Sequence, residues 1–110
     1  MELNEYQKLA ARTINPALDM EDQTGHALMG MAAEVGELCG LYQKQYQGHS
    51  IMKEHAVKEA GDILWMLAEW CTANCITMDE VAQTNIDKLR ARYPDGFEQE
   101  KSLHRAEGDV

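Results

Sequence analysis

At 110 residues, with 45% hydrophobic and 26% charged side chains, the chain has the composition of one globular domain and no room for a second core. Its 10 Lys and Arg against 19 Asp and Glu leave a net charge of −9, and no basic stripe offsets it, which argues against binding a DNA or RNA polymer. No apolar run approaches the ~18 residues of a membrane span and no charged-then-apolar leader is visible, so a cytoplasmic protein is expected.

Leu3-Asn4-Glu5-Tyr6-Gln7 reads as a helix start, with Asn4 as N-cap and Gln7 closing a capping box. Leu3, Tyr6, Leu9, Ala10 and Ile14 then recur at helical spacing, until Asn15-Pro16 interrupts. Residues 15–23 are expected to be a loop. A second helix runs from about Thr24 to Gln47 and stops at Gly48, with Leu28, Met31, Val35, Leu38 and Tyr42 as its apolar stripe. Gly30, Gly36 and Gly40 each cost about 1 kcal/mol against Ala in a helix interior. Ala32, Gly36 and Gly40 form a small-residue seam where another helix can come close; the alternative is simply a weak helix.

The third helix spans roughly Ile51 to Asn74, with Ser50 as N-cap. Ala60, Leu64, Leu67 and Cys71 mark one face, and Trp65, Met66 and Trp70 widen it, so most of this helix must be covered. Thr77-Met78-Asp79-Glu80 is a capping box that opens a fourth helix, flanked by a staple of Ile76 and Val81. Its apolar face is Ala82, Ile86, Leu89 and Tyr93, and Pro94-Asp95-Gly96 ends it in a turn. A domain over residues 1–97 and a polar, mobile tail over 98–110 are expected. The fold class is all-α, a bundle of four main helices.

Cys39, Cys71 and Cys75 are an odd set inside helical patterns, which fits a reducing compartment better than a disulfide framework. Cys71 and Cys75 lack the partners of a zinc site and are expected in the core. His26, His49, His55 and His104 make no Glu-x-x-His pair, against a di-iron carboxylate bundle. His55 precedes Glu59 by one helical turn, within reach of the site edge, but an ordinary helix-surface histidine is the reading preferred.

Glu34 and Glu37 share a face of the second helix, and Glu59 and Asp62 share a face of the third. Members of each pair are roughly 4.5 Å apart along the axis. The only carboxylates between Gln23 and Lys44 are Glu34 and Glu37, set among Gly30, Met31, Leu38 and Leu41. Solvated acidic faces usually mix charges of both signs. Four acids gathered among apolar neighbours would repel one another, and a hard divalent cation bound through oxygen removes that conflict.

Glu34-Val-Gly-Glu37 and Glu59-Ala-Gly-Asp62, separated by 21 residues, resemble the motif of the MazG-like all-α nucleoside triphosphate pyrophosphohydrolases. The likeness runs from Leu3-Asn4-Glu5-Tyr6-Gln7 through Ile86-Asp87-Lys88-Leu89-Arg90 to Arg92-Tyr93-Pro94. It implies hydrolysis of a nucleoside triphosphate, including a deoxynucleotide or non-standard one, to the monophosphate and pyrophosphate. It implies Mg²⁺ held by Glu34, Glu37, Glu59 and Asp62, with one of these or a neighbouring carboxylate orienting the attacking water. It also implies phosphate contacts from Asn85, Lys88 and Arg92, with Tyr93 beside them, and a homodimer or homotetramer. Where relatives carry aromatic residues soon after the motif aspartate, this chain has Trp65 and Met66. Trp65 is either a stacking surface for a base or a core tryptophan.

Asn85, Lys88 and Arg92 share a helix face, and on so acidic a protein this strip and the metal would supply the positive potential that a triphosphate needs. Without the acidic motif, the strip would read as a solvated face complementing the helix dipole. Two other functions stay open: phosphoribosyl-nucleotide pyrophosphohydrolysis, and nucleotide binding or protein interaction without turnover.

Overall fold

The computed structural model describes residues 1–110. It forms α1 (Leu3–Ala10), a 3-10 turn (Ala11–Thr13), α2 (Met20–Gln45), α3 (Lys53–Ala73), α4 (Met78–Arg92) and the short α5 (Gln99–Leu103). No strand is present, only an isolated bridge between Pro94 and Gly96. The chain divides into two compact units, Met1–Thr77 and Met78–Val110. No helix is long and apolar enough to cross a membrane.

In the first unit, α2 and α3 pack along their lengths and α1 lies on α3. The expected cap at Asn4 does not form, because α1 already begins at Leu3 with Glu2 before it. The Gln7 amide also ties α1 to the end of α3, donating to the Ile76 carbonyl (2.8 Å) and the Thr72 hydroxyl (3.3 Å). The loop after α1 is shorter than the sequence suggests. Asp19 caps α2, its carboxylate accepting the Asp22 N–H at 2.8 Å, so the helix starts at Met20 rather than near Thr24. Ser50 does not cap α3; that place is taken by Met52, extended at φ −83° and ψ 125°, with no side-chain cap bond.

Gly48 ends α2 as expected. It adopts φ +95°, its N–H donates to the Gln45 carbonyl, and His49 N–H donates to Lys44, the paired bonds of a Schellman motif. The end of α3 repeats the device without glycine. Cys75 sits at φ +56°, its N–H donating to Thr72 O while Ile76 N–H donates to Cys71 O. Cys75 is therefore past the helix end and exposed, which corrects its placement in the core; Cys71 is fully buried.

The core is thin. Ala27, Met66, Ala68, Cys71 and Ala73 are its buried apolar members in the first unit. Glu69 is buried among them and faces His26, whose Nδ1 lies 2.5 Å from Glu69 Oε1. The stripe read on α2 is not fully covered within the chain: Met31 and Leu38 are half-buried, but Leu28, Val35 and Tyr42 are each 44–50% exposed. Nor is the seam, since a Cβ at Gly36 or Gly40 would meet nothing within 4 Å.

In the second unit, α4 starts directly after Thr77, as the capping box predicts. Ile86 and Leu89 of its apolar face are exposed. The Gly96 N–H donates to the Tyr93 carbonyl, and Gly96 takes φ +90°, closing the expected turn. Beyond Phe97, α5 forms and the chain turns back so that Asp109 reaches Arg92 on α4.

Candidate functional site

Gly30 decides how closely α2 approaches α3. A Cβ there would overlap the thioether of Met66, which is only 4% exposed, so the missing side chain is what lets the helices meet. The helices run antiparallel from this point, and one turn beyond Gly30 along α2, Glu34 faces α3 where Asp62 and Glu59 emerge. Carboxylate oxygens of Glu34, Glu59 and Asp62 all lie within 4.8 Å of one another.

Two oxygens in this cluster, Glu34 Oε2 and Glu59 Oε2, are buried and have no hydrogen-bond partner. Buried carboxylate oxygen is expensive to leave bare. Burial, then repulsion from Glu37, Asp62 and Glu59, pushes the Glu34 carboxyl above its ordinary range. Glu37 stands outside the three-residue cluster and is more exposed. It joins through Glu59: a hydrogen bond with that side chain, followed by its charge, raises the Glu37 carboxyl as well.

Three residues to which the sequence assigned no firm role border the acids. His55 is on the helix surface, and its Nε2 comes to 3.3 Å from Glu59 Oε1. The Tyr6 hydroxyl is shifted upward, first by burial and then by the Asp62 charge. Thr13 accepts a 2.8 Å hydrogen bond from the Trp65 indole N–H. Together Tyr6, Leu9, Thr13, Asp62 and Trp65 line an open groove of about 670 Å³ between α1 and α3. Spacing pointed to Glu59 for His55, but Tyr6 and Thr13 reach α3 only through the α1 packing.

The second unit carries the basic strip. Asn85 and Lys88 are exposed on α4, and Arg92 is mostly covered. Arg92 Nε and Nη2 donate to Asp109 Oδ2 and Oδ1, both at 2.7 Å. Lys88 Nζ donates to the Val110 carbonyl. Tyr93 stacks obliquely on Phe97, with ring centroids 5.4 Å apart, and the Arg92 guanidinium lies 5.9 Å from the Tyr93 ring centre. No sequence signal pointed to Asp109.

An all-oxygen donor set with two unsatisfied buried oxygens fits a hard divalent cation of the Mg²⁺ type. In a comparison with known families, the MazG nucleotide pyrophosphohydrolase domain matches residues 23–97, which include the four acids and the basic strip but leave α1 outside. No curated protein and no solved structure matches the chain.

Proposed function

The chain belongs to the MazG nucleotide pyrophosphohydrolase domain family, and from that premise we propose that it hydrolyses a nucleoside triphosphate to the monophosphate and pyrophosphate with Mg²⁺. The observation that carries this reading is the pair of buried, unpartnered oxygens of Glu34 and Glu59 in a three-carboxylate cluster. Such a cluster is costly for a protein to keep unless a cation is bound there for use.

Glu34, Glu59 and Asp62 would hold the ion, and Glu37 would complete the set. Bound Mg²⁺ supplies a Lewis acid that lowers the pKa of coordinated water and offsets negative charge on phosphate oxygens. Glu37, the exposed member, would orient the water attacking the α-phosphorus and accept its proton. His55, against Glu59 Oε1, would fix the orientation of that carboxylate, as groups behind metal ligands do. Asn85, Lys88 and Arg92 would hold the phosphates, the cations stabilising charge on the departing pyrophosphate. Tyr93 would buttress Arg92.

Trp65 would offer its ring to the base beside Tyr6 in the α1–α3 groove. The hydrogen bond from its indole to Thr13 fixes the ring plane, which favours a stacking surface over a purely packed core residue. The decisive experiment is pyrophosphate release from a panel of ribo-, deoxyribo- and non-standard nucleoside triphosphates, with Mg²⁺ or with excess chelator. Release that requires Mg²⁺ supports the reading; equal release in chelator, or none from any nucleotide, overturns it.

We further propose that the working form is a homodimer or homotetramer. Leu28, Val35 and Tyr42 leave an apolar stripe on α2, and Gly36 and Gly40 leave room for a close helix. Light scattering at micromolar concentration tests this: a folded, active species of 12.4 kDa would refute it.

A further inference from the structure

Both cations of the basic strip are engaged by a single segment of the chain. Arg92 donates two parallel bonds to Asp109, and Lys88 donates to the next residue's carbonyl. The Arg92 and Asp109 side chains are only 10% and 13% exposed, whereas those of the His104–Glu100 pair are 72% and 76% exposed. A turn presents the aspartate: Asp109 N–H donates to the Ala106 carbonyl at 3.1 Å, and Gly108 between them takes φ +84°. Such a φ suits glycine and strains other residues. Lys88, Arg92, Lys101, His104 and Asp109 line a pocket of about 460 Å³ around this contact.

The geometry has a chemical meaning. A guanidinium meets a carboxylate and a phosphate through the same fork, with two parallel N–H···O bonds. An oxygen pair on Asp109 therefore fills the place where a phosphate would offer its own. The Arg92 hydrogen bond dominates the Asp109 environment and, against the opposing effect of burial, holds its carboxyl below the ordinary range, with Arg105 and Lys88 adding to it. The carboxylate thus stays charged at neutral pH.

We propose that residues 106–110 are an autoinhibitory strap, in which Asp109 mimics a phosphate and competes with the substrate's triphosphate for Arg92 and Lys88. This rests on the reading of Arg92 and Lys88 as phosphate contacts. Substrate must exchange one anion for another at Arg92, so the strap raises KM and leaves the chemical step alone. Any condition that draws the segment off α4 increases the fraction of enzyme ready to bind.

The test uses the full chain carrying Asp109→Asn and, separately, Gly108→Val, which opposes the turn without touching the carboxylate. Two readouts are taken: calorimetric binding of inorganic pyrophosphate, and KM and kcat for the best triphosphate of the panel. Both variants should bind pyrophosphate several-fold more tightly and lower KM several-fold, with kcat unchanged. Unchanged pyrophosphate affinity in both variants overturns the strap. Arg92→Ala in the Asp109→Asn background separates the two ideas. If it abolishes pyrophosphate binding while Asp109→Asn alone changes nothing, the strip binds phosphate and only the strap fails. If it changes nothing, the phosphate role of Arg92 fails, and the strap with it.

Discussion

Gly30 on α2 lies directly against Met66 on α3, so close that the thioether occupies the space of a Cβ. This contact sets the helix spacing at which Glu34 reaches Asp62 and Glu59. Gly30→Val should force the helices apart or distort Met66, costing about 1–3 kcal/mol as an overpacked core site does. Mg²⁺ affinity should fall with it. Thermal unfolding with and without Mg²⁺ checks both; an unchanged midpoint and unchanged Mg²⁺ stabilisation would show the contact to be incidental.

Glu59→Gln and Asp62→Asn keep side-chain size while removing a ligand charge. Each should eliminate most Mg²⁺-dependent pyrophosphate release and leave helical circular dichroism near wild type. Retained activity in either variant would mean that the α3 acids do not hold the ion.

Above the ordinary glutamate range, the contribution of the acidic cluster to the stability of the metal-free protein should fall as pH rises. Glu34 and Glu37 have folded-state pKa values above the 4.5 of an unperturbed glutamate, so the folded chain binds more protons than the unfolded one. Their contribution is fully present below 4.5 and is lost as pH climbs through the raised values. Saturating Mg²⁺ should flatten this dependence by replacing protons with a cation. Denaturant midpoints measured across pH in chelator and in Mg²⁺ supply the comparison, and parallel curves would contradict it.

The His26–Glu69 pair is lopsided: Glu69 is 4% exposed while His26 is 56% exposed. Removing the outer partner should hurt more than neutralising the inner one. His26→Ala leaves a buried carboxylate without its hydrogen bond, at a cost of about 1–3 kcal/mol. Glu69→Gln keeps an acceptor for the ring and should cost less. Urea unfolding of the two variants decides the order.

Cys75 holds a left-handed conformation at φ +56°, where a side chain costs about 1–2 kcal/mol relative to glycine. Cys75→Gly should raise stability by about 1 kcal/mol, part of the relief being offset by the entropy of an unfolded glycine. Cys75→Val should lower it. A stabilised valine variant would mean that the turn relaxes away from this geometry.

Helix existence was plain in the sequence because periodicity survives packing, as on α3 and α4. Starts were less plain. Asn4 and Ser50 had capping chemistry, yet α1 began at Leu3, one residue ahead of Asn4, and α3 began at Lys53, with Met52 before it and no side-chain cap bond. Asp19 was hidden because the polar first turn after it carries no apolar rhythm. The acidic cluster was legible because i, i+3 spacing fixes a helix face regardless of tertiary detail. Which glycine mattered was not: Gly30, Gly36 and Gly40 look alike in sequence, and only the register of α2 on α3 singles out Gly30. The bond between Arg92 and Asp109 depends on a reversal of the chain after α5 that no periodicity records.

The acids come from one helix hairpin, residues 34–62, and need no other element to be brought together. Closing so short a loop carries a small entropic penalty, and contacts local in sequence form early in folding. A cation that bridges Glu34 and Asp62 would therefore act on a contact local in sequence, one that needs no docking of α1. If Mg²⁺ binds these acids as proposed, its presence should accelerate folding as well as retard unfolding, and stopped-flow refolding with Mg²⁺ or with chelator measures both.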